Sequence, residues 1–229
     1  MYPFGISWEA KRMAIFVIGN TKGGVGKSTT AVQVSVGRAC QNKDVLLVNG
    51  DRQVSVSNAI ARRDDAGFTP GVTVVHYPDG AQLRTQVLRQ REKYDDIIID
   101  AGGRDSTALR HAMMIADAML VPIAPGDFEL DALYDELIPL IDDIQAQRGD
   151  NPLPVYAYLN MAEPNKLSAD NLAARRAIES CPQLRLLDLN IVDRKAIASA
   201  SARGLAVREM KPRDPKAVKE IDDLLKALF

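Results

Sequence analysis

Short apolar runs rich in valine and isoleucine recur along the chain, separated by longer segments whose apolar positions fall three or four apart. The runs predict strands at Ala14–Ile18, Val45–Val48, Val72–His76, Ile97–Ile99, Ala118–Ile123, Val155–Asn160 and Leu184–Leu187. The spaced segments predict helices. The first runs from Lys27 to near Asn42, with Ala31, Val32, Val34, Ser35 and Ala39 inward. Others cover Ala81–Lys93 (Leu83, Val87 and Leu88 inward), Ser106–Ala116, Phe128–Gln147, Ser168–Glu179, and Arg194–Ala202 with Asp193 as its cap. A last helix starts near Asp214 and carries a stripe of Val218, Ile221, Leu224, Leu225 and Leu228.

Strands and helices alternate throughout, with no internal repeat, low-complexity segment or linker. This order predicts one α/β domain over residues 13–229, a mainly parallel, doubly wound sheet with helices on both faces. Right-handed crossovers then bring the carboxyl ends of the strands to one edge. Residues 1–12 have no clear period and read as a tail, a capping segment or an addition foreign to the chain. They are too short for a helix-turn-helix, so no amino-terminal DNA reader is expected.

Of 229 residues, 46% are hydrophobic and 26% charged, the mix of a globular domain with a sizeable core. No apolar run approaches the ~20 residues that span a bilayer. Residues 1–11 carry Glu9 and lack the apolar core of a secretory signal. Cys40 and Cys181 lie far apart without metal-ligand spacing, so a cytoplasmic, reduced protein is expected. The net charge of −1 leaves any nucleic-acid contact to a local patch. Residues 127–144 hold seven acidic residues and no Lys or Arg; such a face is expected to be solvated. Residues 194–219 hold eight basic residues against Glu209 and Asp214.

The first predicted strand and helix are joined by AIFVIGNTKGGVGKSTT, residues 14–30. Strand, glycine loop and helix in this order make a phosphate-binding loop. Glycines let the backbone approach an anion, and the N–H groups of Gly23, Gly24, Val25 and Gly26 form a nest for it. The helix adds its unpaired N–H groups and positive dipole end. Lys27 reaches β/γ-phosphates as a point charge, Thr29 follows in the first turn, and the Ser28 hydroxyl suits Mg²⁺. Asp51 follows the second strand, placed to act on water or magnesium. Asp100 ends the run of Ile97–Ile99, the Walker B pattern, and holds Mg²⁺ directly or through water. Gly102 and Gly103 lie where a γ-phosphate sensor is expected.

The string KGGVGKST departs from the strict G-x-x-x-x-G-K-[ST] pattern, with Thr21 at the first glycine position and an additional lysine, Lys22. It resembles the deviant Walker A loop of the ParA/MinD group of ATPases. The resemblance spans roughly residues 13–228 through LLVNGDRQVS, DIIIDAGG, ADAMLVPIAPGDFELDAL and NIVDRKAIASASARGLAV. It is to a small ParA-type partition ATPase without an operator-binding domain. The resemblance implies ATP and Mg²⁺ as cofactors and an ATP-dependent sandwich homodimer, in which Lys22 reaches the partner subunit's nucleotide. Lys22, Lys27 and Asp51 would be catalytic, Asp51 as the second acid of the family's D-x-D-P-Q segment, positioning the attacking water. Ser28 and Asp100 would hold the metal, and Asn160 would help hold adenine. The dimer would bind DNA without sequence preference, through Arg194, Lys195, Arg203 and Arg213. A centromere-binding partner, ParB-like or ribbon-helix-helix, would stimulate hydrolysis as plasmid DNA, chromosomal DNA or another cargo is segregated over the nucleoid. Asn49 and Arg52 depart from the family, which usually has aspartate and proline there.

Two other readings compete. A MinD-like membrane-positioning ATPase needs a basic amphipathic tail; Glu220, Asp222 and Asp223 dilute the last helix, which is expected to pack on the body, leaving no membrane contact. An iron-sulfur reductase of the group needs cysteines near the switch segments, which Cys40 and Cys181 do not supply, and a metabolic ligase needs a substrate pocket that the sequence does not identify. His76 and His111 read as ordinary strand and helix residues, and Tyr156 and Tyr158 as packing at a strand face.

Overall fold

The computed structural model describes residues 14–103 and 105–229; the expectation for residues 1–12 lies outside them. The chain runs β1 (Ala14–Ile18), α1 (Lys27–Ala39), β2 (Val45–Asn49), α2 (Ser55–Asp65), β3 (Thr73–His76), α3 (Gly80–Gln90), β4 (Asp96–Asp100) and α4 (Thr107–Ile115). It continues with β5 (Ala118–Ile123), α5 (Asp127–Ala132), a π-helical turn (Leu133–Leu137), α6 (Ile138–Arg148), β6 (Val155–Ala162) and α7 (Ala169–Glu179). It closes with β7 (Arg185–Val192), α8 (Lys195–Ala202), a 3₁₀ turn (Val207–Glu209) and α9 (Pro215–Leu228).

The seven strands form one sheet in the order β3-β2-β4-β1-β5-β6-β7, and each neighbouring pair is parallel. Successive side chains of a strand go to opposite faces. Ile15, Val17, Leu46, Val48, Ile97 and Ile99 join the core beneath α3, α4, α6 and α7. Phe16, Ile18, Leu47 and Ile98 join the core beneath α1, α2, α8 and α9. Burial on both faces is why the central strands read as unbroken apolar runs. Truncating any of Ile97, Ile98 or Ile99, each at most 1% exposed, to alanine would cost ~2–5 kcal/mol. α1 carries the chain over one face from β1 to β2, whereas α4 carries it over the other from β4 to β5. Connections out of adjacent β1 and β4 therefore diverge, opening a crevice at their carboxyl ends where ligands of such sheets bind.

Several boundaries differ from expectation, each for a local reason. α1 stops short of Asn42, which takes a left-handed φ of 60°, a conformation asparagine tolerates. α2 has no counterpart in the sequence pattern; only Val56, Ala59 and Ile60 give it an apolar face, and no side chain caps its start. Leu88 is exposed rather than inward, because α3 buries only the narrow Leu83–Val87 stripe. The long acidic helix is interrupted by the π-helical turn just before Pro139, whose missing N–H removes a helical hydrogen bond. β7 continues past Leu187 as an edge strand, with Leu187 and Ile191 on its core face. Asp193 caps nothing: Arg194 occupies the N-cap of α8 and no side chain bonds there. At α9, Asp214 does cap, accepting from Lys216 N and Ala217 N, and Ile221, Leu224, Leu225 and Leu228 are buried while Val218 is half-buried.

Candidate nucleotide site

Residues 19–26 connect β1 to α1, and neighbouring elements fix their backbone. Asn20 Nδ2 donates to Pro122 O at 2.9 Å, and Asn20 Oδ1 accepts from Lys22 N at 2.9 Å. Gly26 has φ of +88°, where a side chain is strained, and a Cβ there would lie 2.2 Å from Asn160 Nδ2. That nitrogen donates to Val25 O at 2.8 Å, so Asn160 at the end of β6 braces the loop. Thr30 Oγ1 donates to Gly26 O at 2.9 Å and lies 2.7 Å from the buried Tyr158 hydroxyl. Burial raises the Tyr158 pKa, opposed by its hydrogen bond with Thr30. Tyr158 therefore does more than pack. Asn20, Thr30 and Tyr158 escaped the sequence reading; the available signal was that Tyr158 lies two residues before Asn160, on the same face of one strand.

Lys27 is only 7% exposed, and its Nζ donates to Lys22 O at 2.6 Å. Burial lowers its pKa, while Asp100 and Asp51 pull it up. Asp100 closes β4, in register with Ile18 of β1 and Asn49 of β2. Burial pushes its pKa up to about 7, opposed by the neighbouring Ser28 hydroxyl and by Lys27 and assisted by Asp51. A Cβ on Gly102 would meet Asp51 Cγ and Oδ2 at 3.2 Å, and one on Gly103 would meet Lys27 Nζ at 3.3 Å. These two glycines thus admit the acid and the ammonium to one place. The structure brings Lys27, Ser28, Asp51 and Asp100 together beside the Lys22 main chain, at the crevice predicted by the topology.

The donor set fits a magnesium triphosphate. A buried ammonium stands beside a serine–carboxylate pair, and Thr21 Oγ1 is buried without a partner among the described residues. Mg²⁺ takes one or two protein ligands and completes its shell with phosphate oxygens and water, which Ser28 and Asp100 suit. Loop N–H groups and Lys27 would hold the phosphates; Ser28 and Asp100 would hold the ion, which neutralises charge on the transferring phosphoryl group.

The candidate DNA residues divide. Arg194 Nη2 is 2.8 Å from Glu220 Oε1, its Nε lies 3.1 Å from both Glu220 oxygens, and Asp214 is 4.0 Å away. Arg194 therefore ties the start of α8 to α9. Lys195, Arg203 and Arg213 are exposed and make no ion pair among the described residues. Arg208 pairs with Asp222 and Lys219 with Asp223. The basic excess of residues 194–219 is thus reduced by acids just beyond that window. His111 bonds Thr107 O of its own helix, whereas His76 reaches Asp51 O at 2.8 Å.

The family model described as ATPase MipZ matches residues 14–136. Over 213 residues the chain is 26% identical to the maintenance of carboxysome distribution protein A of Halothiobacillus neapolitanus, covering 91% of this chain and 93% of that one. It is 28% identical over 169 residues to the chromosome-partitioning ATPase Soj of Thermus thermophilus, covering 63% and 66%. The fold is that of the ATP complex of a Cyanothece McdA variant, at a TM-score of 0.71 and 18% identity over 95% of this chain and 97% of that one. A phosphate loop with two lysines, a strand-end aspartate beside its serine and a match over more than half the sequence lead to one assignment: the chain belongs to the MipZ ATPase family, in the ParA/MinD group of P-loop ATPases.

Proposed function

We propose that this ATPase cycles between monomer and ATP-bound homodimer, that the dimer binds DNA without sequence preference, and that a partner protein triggers hydrolysis to move or position a cargo over the nucleoid in the cytoplasm. The carrying observation is the pair of lysines on one loop, with Lys27 turned inward against the Lys22 carbonyl beside Asp100 and Asp51. Lys27 serves the phosphates of its own subunit. Lys22 serves those of the partner, so that two nucleotides are enclosed between subunits. Gly23, Gly24, Val25, Gly26, Ser28 and Thr29 line the phosphates, Asn160 helps hold adenine, and Asp51 orients the attacking water. Lys195, Arg203 and Arg213 meet DNA phosphates, a contact that carries no sequence information.

The names of the relatives, one for carboxysome distribution and one for chromosome partitioning, support a positioning role, with plasmid DNA, chromosomal DNA or a protein body as cargo and a ParB-like or ribbon-helix-helix protein as the stimulating partner. A lipid-surface role is disfavoured by α9, whose apolar stripe is buried against the sheet. Among the described residues, no helix is long and apolar enough to cross a membrane. The test is retention on random-sequence DNA at modest salt with ATP, with ADP and without nucleotide. Retention only with ATP is expected; equal retention in all three states would count against the reading.

A further inference from the structure

We infer that Asn49 and His76 are positioning residues for hydrolysis: they hold Asp51 from two adjacent strands. The inference rests on the reading of Asp51 as the group that orients water. Asn49 is the last residue of β2, fully buried, in register with His76 on one side and Asp100 on the other. The three side-chain positions therefore form a row across the carboxyl edge of the sheet. Asn49 Oδ1 accepts from Asp51 N at 3.0 Å, while Asn49 Nδ2 donates to Gln53 O at 3.0 Å and to Ser57 Oγ at 3.3 Å. One amide thus grips the chain on both sides of Asp51. The Asp51 carboxylate itself accepts from Gln53 N at 3.0 Å. From β3, His76 Nε2 lies 2.8 Å from Asp51 O. A carbonyl only accepts, so His76 carries its proton on Nε2 and donates.

The amide orientation of Asn49 follows from its partners. A backbone N–H must meet its oxygen and a backbone carbonyl its nitrogen. A carboxylate has no donor, so aspartate at this position would set an oxygen against Gln53 O. Asn49 is thus the residue that lets this chain hold a pre-built 49–57 segment. Because Asn49 and His76 both contact the main chain of Asp51, they set where its carboxylate sits without occupying that group.

The test compares single-turnover hydrolysis and ATP affinity for Asn49→Asp, His76→Leu and His76→Gln, with Asp51→Asn alongside. Asn49→Asp should slow hydrolysis about tenfold and His76→Leu about fivefold, with ATP affinity within about threefold of the wild type, since misplacement acts on the barrier rather than on binding. His76→Gln, whose amide offers a donor at a similar reach, should restore hydrolysis to within about twofold. Wild-type rates in Asn49→Asp and His76→Leu would overturn the inference. So would a fall in ATP affinity that matches the fall in rate, or His76→Gln as slow as His76→Leu. If Asp51→Asn is inactive while Asn49→Asp and His76→Leu turn over normally, the positioning inference alone fails. If Asp51→Asn turns over at the wild-type rate, the water-orienting reading fails and takes this inference with it.

Discussion

The ammonium of Lys27 donates to the main-chain carbonyl of Lys22 at 2.6 Å. The two loop lysines are therefore coupled through the Lys22 main chain. Lys22→Ala keeps the carbonyl and with it the seat of Lys27. The variant should fold normally and bind ATP as a monomer, but lose the ATP-induced dimer. Light scattering behind size-exclusion, with and without ATP, reads this directly; a dimer of unchanged stability would remove Lys22 from the subunit interface.

Lys27→Ala should behave differently. Lys27 supplies a point charge that loop N–H groups do not replace. ATP affinity should fall at least about a hundredfold, or about 2.7 kcal/mol, and turnover should vanish. The same buried ammonium is desolvated, so its removal relieves a cost of the nucleotide-free fold. Urea unfolding of the apo variant should show stability equal to or above that of the wild type, and a large loss there would recast Lys27 as a structural residue.

Asp100 gives the apo protein a pH dependence. Its pKa is raised from 3.8 to about 7 in the fold, chiefly by burial. Between these values the folded chain binds a proton that the unfolded chain has released. Stability from this group is therefore present at low pH and lost as pH rises through about 7. Other carboxylates contribute opposite slopes, so the comparison is with Asp100→Asn. From about pH 5.5 to about pH 8, the urea midpoint of magnesium-free wild type should fall relative to that of the variant. Parallel curves would place the Asp100 pKa in its ordinary range.

A buried pair joins α2 to the turn before α9. Arg63 is fully buried, and its two terminal nitrogens reach Glu209 at 2.7 and 2.9 Å while also contacting Pro70 O and Gly204 O. Glu209→Ala strands that guanidinium and should cost about 3–5 kcal/mol in urea unfolding. Replacing both members, Arg63→Met with Glu209→Leu, should cost markedly less. Equal losses in the single and double variants would mean that packing volume, not charge, is at stake.

The fold and the phosphate loop were legible because their signals are local. Strands buried on both faces print unbroken apolar runs, and the glycines and lysines of residues 22–28 stand side by side. α2 was not legible, since its inward face is only Val56, Ala59 and Ile60 within a polar stretch. The clamp on Asp51 was not legible either: Asn49, His76 and Asp100 become neighbours only through the strand order β3-β2-β4. The basic stretch misled for the same reason. Glu220, Asp222 and Asp223 look outside it in sequence, yet their contacts with Arg194, Arg208 and Lys219 lie within it in space.

That partition of the basic residues separates the candidate DNA contacts from the structural ones. Arg203 and Arg213 are exposed with no carboxylate partner among the described residues, so each is available to a phosphate. Arg203→Ala and Arg213→Ala should leave the melting temperature unchanged and weaken ATP-dependent DNA retention on all sequences alike. Each should flatten the dependence of log affinity on log salt by about one unit, as the loss of one counterion-releasing contact requires. Arg194→Ala should do the reverse. It strands Glu220, which also accepts from Val192 N, so thermal stability should drop while the salt slope holds. A salt titration and a melting curve on the same three variants decide the matter: Arg194→Ala flattening the slope without melting early would return Arg194 to the DNA-binding surface, and an unchanged slope for Arg203→Ala or Arg213→Ala would remove that residue from it.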